Sequence, residues 1–451
     1  MLTREEIDKI DITKLKKVHL IGITSGFNSF CAEYLLQLGI NVKASEINTT
    51  PGSSEMWLQR GVLYPGAKHS GDYITEDLDL VVYPNGPIPG NPECQRAEEL
   101  DIPAITIAQL TGLISKNFKV IAIAGTHGKT TTSAYITWLL KNAYGYLPNF
   151  IIGDNILEIN KSYNYNPESE YLVIEACEYK RQFLDRAPAP YISVITNIEL
   201  DHTDYYQNQE DYNSAFSEFL NHTQKAIILD KSQLNIDLVL SKIDIKNDVD
   251  IVNTKDLENE YQDIKAPMSG SHNHENFLRA CGVAKVLNMK IDLNDFPGVS
   301  SRFEYKGETV NGMKVYLDYA HNPKKVRSCL QGAKEQYPDK KILFVWQPHS
   351  YERTYHFKDE FAQSLNDADM VLIPNIYAPI REKDQFKDLI NEEIFVNYLK
   401  EKNQDKEISY TKDFENTANI LNDSKYNRDY VGVFASAGDL KNIFNSLNLK
   451  E

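Results

Sequence analysis

The stretch Val120-Ile-Ala-Ile-Ala-Gly125-Thr-His-Gly-Lys129-Thr-Thr-Thr132 decides the fold. Its first five residues are apolar and partly β-branched, which predicts a buried strand, and a helical pattern follows through Ala134–Leu140. A strand, a glycine-containing loop and a helix form a phosphate cradle, because loop amides and the positive end of the helix dipole face the same anion. We therefore predict a nucleoside-triphosphate site here rather than an ordinary strand-to-helix turn.

Two side chains of this loop match the needs of a triphosphate. Lys129 would contact the β- and γ-phosphates, and the Thr130 hydroxyl would bind Mg²⁺. The loop is shorter than the general phosphate-loop pattern, because only Thr126 and His127 separate its glycines.

Composition and charge limit the class of protein. The chain has 451 residues, enough for two to four domains, and its net charge of −16 argues against a broad nucleic-acid surface. No apolar run is long enough to span a bilayer, and residues 1–6 lack the apolar core of a signal peptide. The five cysteines lack metal-ligand spacing and are typical of a reducing compartment. We expect a cytoplasmic protein without membrane insertion or nucleic-acid binding.

The first part of the chain reads as an α/β unit. The helix is expected over Phe30–Leu36, and the strands are expected at Lys17–Ile23, Asn41–Ser45, Leu80–Pro84 and Pro103–Thr106. Alternation of strands and helices predicts a mostly parallel sheet. The turn Thr24–Ser29 follows the first strand but has too few glycines for a dinucleotide fingerprint.

Two further strands deliver polar groups to the edge that carries the phosphate loop. Glu170–Glu178 and Tyr191–Ile198 are expected as strands, and they place Glu175 and His202 near Lys129 because ligands bind beyond the carboxyl ends of parallel strands. Glu175 is the stronger Mg²⁺ candidate, since this cation prefers oxygen ligands. A polar stretch over residues 231–262 precedes Ser269–Asn276, whose amide and imidazole groups exceed what a helix cap requires.

A third unit begins near Ser301. Its strands are expected at Val315–Pro323, Ile342–His349, Met370–Pro374 and Val431–Asp439. The alternation with helices again predicts an α/β domain whose functional loops follow the strands.

These stretches, in this order, resemble the ATP-dependent Mur ligases, which build the peptide of peptidoglycan. The segments that carry the resemblance are Gly125–Thr132, Glu175–Leu184, Thr196–His202, Asp318–Pro323, Gln347–Thr354 and Ala435–Asp439. The resemblance covers nearly the whole chain and is greatest to the alanine-adding branch of the family.

The resemblance implies a three-domain α/β fold. Residues 1–116 would form a Rossmann-like domain for a UDP-sugar, residues 117–300 a P-loop domain for ATP, and residues 301–451 a Rossmann-like C-terminal domain. It implies ligation of L-alanine to UDP-N-acetylmuramate through an acyl phosphate, with ATP and Mg²⁺, by a monomer or weak homodimer.

The resemblance also implies roles for individual residues. The catalytic set is Lys129, His202, His349 and Arg353, and the metal ligands are Thr130, Glu175 and His202. The ATP-binding set is Gly125, Thr126, His127, Gly128, Lys129, Thr130, Thr131, His272, Asn273, Asn276, Arg302 and Asp318. The substrate-binding set is Gly22, Ser25, Asn28, Glu46, Tyr319, His321, His349, Arg353 and Tyr377.

The first loop departs from the family pattern. Gly22-Ile-Thr-Ser-Gly-Phe-Asn28 stands where the alanine-adding enzymes read Gly-Ile-Gly-Gly-Ser-Gly-Met, and Glu46 stands where aspartate is usual. Fewer glycines allow less close backbone approach to a diphosphate. Two alternatives therefore stay open: a ligase that attaches a recycled peptide to the same sugar, and a ligase-derived binding protein that has lost its UDP-sugar site.

Overall fold

The computed structural model describes residues 1–47, 53–244, 248–378 and 386–450. Within these residues the strands form three sheets, of four, seven and six strands. The chain divides into two compact units. The first is Met1–Lys265 with Glu275–Pro297, and the second is Ala266–His274 with Gly298–Glu451. The first unit contains two of the sheets and the second contains the third.

The four-stranded sheet is parallel throughout and has the order β2-β1-β3-β4. Its strands are β1 (Lys17–Ile21), β2 (Asn41–Ser45), β3 (Leu80–Tyr83) and β4 (Ala104–Thr106). The accompanying helices are α1 (Arg4–Asp8), α2 (Gly26–Gln37), α3 (Ser53–Gln59), α4 (Pro92–Glu99) and α5 (Ile107–Ser115). Helix α2 begins four residues before the predicted helix, because the Ser25 side chain caps it by accepting from the Asn28 N–H at 3.2 Å.

The seven-stranded sheet has the order β11-β10-β9-β5-β8-β6-β7 and is parallel except for the β6–β7 pair. Its strands are β5 (Lys119–Ala124), β6 (Asn149–Ile156), β7 (Lys161–Asn164), β8 (Tyr171–Glu175), β9 (Ile192–Ile195), β10 (Ala226–Leu229) and β11 (Asp250–Asn253). The helices along this part of the chain are α6 (Lys129–Tyr144), α7 (Gln182–Arg186), α8 (Gln209–Leu220), α9 (Ile236–Leu240) and α10 (Ser271–Val286). Strand β5 lies in the middle, between β8 and β9.

The six-stranded sheet has the order β12-β13-β17-β14-β15-β16 and is parallel except for the β12–β13 pair. Its strands are β12 (Glu304–Glu308), β13 (Lys314–Asp318), β14 (Lys341–Trp346), β15 (Met370–Ile373), β16 (Glu407–Tyr410) and β17 (Tyr430–Ala435). The helices are α11 (Pro323–Gln336), α12 (Tyr351–His356), α13 (Lys358–Ser364), α14 (Glu392–Lys402) and α15 (Phe414–Leu421).

The apolar strand residues form the cores, and the mostly parallel sheets predicted from the sequence are confirmed. Several strands end earlier than predicted: β8 stops at Glu175 and β17 at Ala435, and the residues that follow each leave the sheet. The predicted polar stretch over residues 231–262 contains α9 and β11, because Ile236 and Val239 are buried despite their polar neighbours. No described helix has the length and apolar character needed to cross a membrane.

Candidate active site

The phosphate loop joins β5 to α6 and is held by the segment that follows β9. Its two glycines have positive φ angles, +129° at Gly125 and +83° at Gly128. A Cβ at Gly125 would collide with the Thr196 hydroxyl, so only glycine fits there. Asn197 Oδ1 accepts from the N–H of Thr126 at 3.1 Å and of His127 at 3.0 Å. The conformation of the loop is therefore fixed by a neighbouring strand end.

Lys129 occupies the first position of α6 and contacts a buried carboxylate. Its Nζ donates to the Gly125 carbonyl at 2.5 Å and to the Glu178 carboxylate at 3.0 and 3.2 Å. Burial alone would lower the pKa of Lys129, but Glu178 and Glu175 raise it above its usual value. Burial alone would raise the pKa of Glu178, but Lys129 and His202 lower it to about 2. The side chains of Lys129 and Glu178 form a buried ion pair.

Thr130 and Glu175 form a pair of oxygen donors beside the loop. The Thr130 hydroxyl donates to Glu175 Oε2 at 2.9 Å, and the Gly153 N–H on β6 donates to the same oxygen at 2.7 Å. Hydroxyl and carboxylate oxygens are the ligands that Mg²⁺ takes in proteins, together with water and substrate phosphates. The two predicted ligands Thr130 and Glu175 therefore lie together and fit this cation.

His202 lies near the same end of the sheet but contacts a different carboxylate. Its Nε2 is 3.7 Å from Glu178 Oε1, and its ring lies 4.7 Å from the Tyr179 ring. Its φ angle is +55°, which is uncommon for histidine and typical of functional loops. No group of three His, Cys, Asp or Glu side chains among the described residues could hold a metal alone. The role of His202 as a metal ligand stays a prediction.

The predicted adenine-side residues fall into two groups. Asn276 lies against the phosphate loop, because a Cβ at Gly128 would collide with its amide oxygen. His272 and Asn273 belong to the other compact unit, in which the Asn273 amide donates to the Ser269 carbonyl at 2.7 Å. Thr131 is buried in α6.

The predicted sugar-nucleotide residues are brought together at the end of β1. The Asn28 amide donates to the Gly22 carbonyl at 2.6 Å, and Ser25 caps α2. Glu46 Oε2 accepts from the backbone N–H groups of Ile23 at 3.1 Å and Thr24 at 3.2 Å. The polar groups of this loop are thus largely used inside the protein.

In the second unit, Asp318 orders the start of the C-terminal sheet. Its carboxylate accepts from the N–H groups of Phe303 at 2.9 Å and Ala320 at 2.8 Å. The Arg302 guanidinium lies 5.1 Å from the Tyr319 ring centre. Of these two residues predicted to contact the nucleotide, Arg302 precedes β12 and Asp318 is the last residue of β13.

A histidine pair lies on the loops that follow β13 and β14. The rings of His321 and His349 are 6.1 Å apart, and the Tyr377 ring stacks on His349 at 5.3 Å. His321 Nδ1 is 2.8 Å from the Tyr319 carbonyl, which can only accept, so this nitrogen carries the proton. Burial, with the charge of Lys325, lowers the pKa of His321 to about 3.

Arg353 contributes charge to the same cluster. Burial and the Arg353 guanidinium lower the pKa of His349 below its usual value. Ser350 fixes the start of α12 by accepting from the Arg353 N–H at 3.1 Å. Tyr319, His321, His349, Arg353 and Tyr377 thus form one cluster of neutral imidazoles beside a cation.

Comparison with known proteins agrees with this geometry. Residues 123–284 match the Mur ligase middle domain, and residues 301–438 match the Mur ligase glutamate ligase domain. The UDP-N-acetylmuramate–L-alanine ligase of Caldanaerobacter subterraneus is 33% identical across 94% of this chain and 95% of its own length. That of Acetivibrio thermocellus is 34% identical across 97% of this chain and 96% of its own. This chain belongs to the Mur ligase family.

This Mur ligase also shares its fold with solved structures of other ligases. The UDP-N-acetylmuramate-alanine ligase of Thermotoga maritima superposes with a TM-score of 0.70 at 23% identity, over 95% of this chain and 97% of that one. The murein peptide ligase of Psychrobacter arcticus gives 0.62 at 22% identity, over 96% and 98%. The family and the three-domain fold predicted from the motifs are confirmed.

Three site residues of this Mur ligase were missed in the sequence. Glu178 stands in the same segment as Glu175, but it lies beyond the end of β8, and its pairing with Lys129 requires the fold. Asn197 lies within the Thr196–His202 segment, but the sequence does not show that its side chain accepts from the loop amides. The contact of the Gly153 N–H with Glu175 could not be predicted, because the sequence pattern does not indicate strand β6.

Proposed function

We propose that this Mur ligase joins L-alanine to UDP-N-acetylmuramate at the expense of ATP. The curated relatives described above carry that activity in their names and match this chain over nearly its full length. The observation that carries the proposal is the arrangement of Lys129, Thr130 and Glu175 at the ends of β5 and β8. A cation and two oxygen donors at a phosphate loop are what phosphoryl transfer from ATP requires.

In this proposal the phosphate loop binds ATP. The loop amides and Lys129 would contact the triphosphate, and Asn276 would line the loop from α10. Thr130 and Glu175 would hold Mg²⁺, with His202 as a further ligand. When bound, the cation would neutralise charge on the transferred phosphoryl group.

The chemistry follows from the poor reactivity of a carboxylate toward an amine. Transfer of the ATP γ-phosphoryl group to the lactyl carboxylate forms an acyl phosphate and releases ADP. The amine of L-alanine then attacks the acyl carbon, the C–N bond forms, and phosphate leaves with the C–O bond electrons. The amine loses a proton in this step, so a neutral imidazole is a suitable acceptor.

The cluster around His321 supplies such imidazoles. The lowered pKa values of His321 and His349 keep both rings neutral near pH 7. Because a pKa of about 3 makes His321 a very weak base, His349 is the better proton acceptor of the two. We propose that these two histidines and Arg353 face the acyl phosphate and the amine, with Tyr319 and Tyr377 lining the same cluster. The proposal also keeps Arg302 and Asp318, with His272 and Asn273, on the ATP side.

The remaining parts of the proposal concern the sugar, location and assembly. Gly22, Ser25, Asn28 and Glu46 are assigned to the UDP-sugar loop. Because ATP and UDP-sugars are cytoplasmic metabolites, we place the enzyme there, as a monomer or weak homodimer. The names of the curated relatives do not favour the peptide-recycling ligase or the ligase-derived binding protein.

Phosphate release by purified protein tests this proposal. We expect release only when ATP, Mg²⁺, UDP-N-acetylmuramate and L-alanine are all present, and little release when glycine or a tripeptide replaces L-alanine. Equal release with the tripeptide L-alanyl-γ-D-glutamyl-diaminopimelate would favour the peptide-recycling ligase. ATP binding without release under any combination would favour the binding protein.

A further inference from the structure

Arg186, the last residue of α7, is a buried cation without a counter-ion among the described residues. The residue is 9% exposed, and the one hydrogen bond that its side chain makes within the described part of the chain runs from Nη2 to Gln182 Oε1 at 2.7 Å. Its buried Nε has no hydrogen-bond partner, and no carboxylate of the described residues lies within 4.0 Å of the guanidinium. Arginine is almost never buried unpaired, because an uncompensated charge is costly. The guanidinium therefore lacks an anion.

The surroundings of Arg186 place that anion at the start of α2. The guanidinium carbon lies 4.0 Å from the centre of the Phe27 ring, and Phe27 is the second residue of this twelve-residue helix. A helix N-terminus carries partial positive charge, and in a dinucleotide fold the first such helix holds the diphosphate. The Arg186 guanidinium and this helix terminus together present positive charge to one place.

Carboxylates near the phosphate loop also act on the charge of Arg186. Burial lowers the pKa of Arg186, while the carboxylates of Glu175, at the end of β8, and Glu178 act on it in the opposite direction. Arg186 therefore interacts electrostatically with the carboxylates beside the phosphate loop.

The first loop itself is poorly prepared to hold an anion. Its N–H groups at Ile23 and Thr24 donate to Glu46 Oε2, and the Thr24 hydroxyl donates to the same oxygen at 2.8 Å. A diphosphate at these amides would have to displace a carboxylate. Positive charge for a diphosphate must then come from another element.

We propose that Arg186 binds the diphosphate of the UDP-sugar, in place of the glycine amides that bind it in dinucleotide folds. This inference rests on the proposed function, because it names the residue that holds that substrate. Nη1 makes no hydrogen bond with the described residues, so it and the unpartnered Nε remain for phosphate oxygens.

The test compares Arg186→Met, which keeps the length of the side chain and removes the charge, with Arg186→Lys. The matched control is Arg60→Met. Arg60 also stacks on an aromatic ring, with 4.7 Å to Trp57, but its guanidinium is already paired with the Glu33 carboxylate at 2.9 Å. Each variant is assayed for the KM of UDP-N-acetylmuramate, ATP and L-alanine, and calorimetry gives the Kd of UDP.

We expect Arg186→Met to raise the KM of UDP-N-acetylmuramate and the Kd of UDP at least tenfold, with the KM of ATP changed less than twofold. Arg186→Lys should raise both by a smaller factor, because it keeps the charge and loses the fork of donors. Arg60→Met should leave all constants within twofold. Should Arg186→Met fail to fold, Arg186→Lys alone decides.

Unchanged KM and Kd values in both Arg186 variants would overturn the inference while the proposed function stands. A raised KM for UDP-N-acetylmuramate with an unchanged Kd for UDP would also overturn it, because the guanidinium would then contact the sugar or its carboxylate. Wild-type protein that binds neither ligand and releases no phosphate would refute the proposed function itself.

Discussion

At the scale of single residues, the pairing of Lys129 with Glu178 changes what a substitution in the phosphate loop does. The Lys129 side chain is 12% exposed and that of Glu178 is 1% exposed. Lys129 thus has two tasks: it contacts phosphate in the proposed reaction, and it neutralises a buried carboxylate in the folded protein. Removing it leaves the Glu178 charge buried without its partner.

Lys129→Ala should therefore lower both activity and stability. We expect a loss of at least about 100-fold in kcat, the order seen when one electrostatic contact to a transition state is removed. Breaking a buried pair costs about 3–5 kcal/mol, so the thermal midpoint should fall. The double variant Lys129→Ala with Glu178→Gln should recover the midpoint without recovering kcat.

Lys119→Ala is the control for this experiment. Lys119 pairs with Glu170 at 2.7 Å, but both side chains are about half exposed, and such pairs contribute under about 1 kcal/mol. An Lys129→Ala midpoint equal to that of Lys119→Ala would contradict the buried pair.

His321 should make stability depend on pH below the usual titration range of histidine. Its pKa is about 3 in the folded chain against 6.5 in the unfolded chain, so below pH 6.5 the unfolded chain takes up a proton that the folded chain refuses. Stability is then lost as the pH falls from 6.5, by at most about 1.4 kcal/mol per pH unit for one proton. Urea unfolding of the wild type and of His321→Gln, at pH values from 7 to 4.5, measures this difference. Parallel curves for the two proteins would contradict the lowered pKa.

At the scale of secondary-structure elements, the site depends on strands that end side by side. Strands β5, β8 and β9 are parallel neighbours, so the residues after each meet at one edge. Strand β6 adds the Gly153 N–H, which fixes Glu175 from the other side of β8. The geometry of the proposed metal ligands therefore depends on a backbone N–H group of β6.

Gly153→Ala should weaken Mg²⁺ use without unfolding the protein. A Cβ there would come within 2.6 Å of Glu175 Oε2 and 2.8 Å of Thr130 Oγ1, so both ligands must move. We expect the Mg²⁺ concentration for half-maximal activity to rise several-fold. Gly145→Ala is the control, because its Cβ would enter open space after α6, although its φ of +75° costs some stability. Equal Mg²⁺ curves for the two variants would show that Gly153 does not position Glu175.

The elements also show how far the sequence could be interpreted. Buried strands such as β3 and β5 are predicted closely, because a strand in a parallel sheet covered on both faces reads as an apolar run. The β6–β7 hairpin was missed, since its outer residues are half-exposed and polar. The role of Glu178 could not be predicted, because the partners of this buried carboxylate, Lys129 and His202, come from other parts of the chain.

At the scale of the whole molecule, two compact units divide the predicted roles. The first unit contains the phosphate loop, the Thr130–Glu175 pair and Arg186, and the second contains the His321–His349 cluster. The order of the motifs along the chain was enough to predict the family and the three-domain fold. The domain boundaries at residues 116 and 300 stay predictions. The roles of individual site residues also stay predictions, because they concern the enzyme with its substrates bound.

The central claim is that phosphate released from ATP takes an oxygen from the carboxylate that becomes the amide. UDP-N-acetylmuramate labelled with ¹⁸O in its lactyl carboxylate tests this claim most directly, in a reaction with ATP, Mg²⁺ and L-alanine analysed by mass spectrometry. The account predicts one ¹⁸O atom in each phosphate released, in equal amount with the UDP-N-acetylmuramoyl-L-alanine formed. Unlabelled phosphate, or phosphate formed without the amide product, would contradict it.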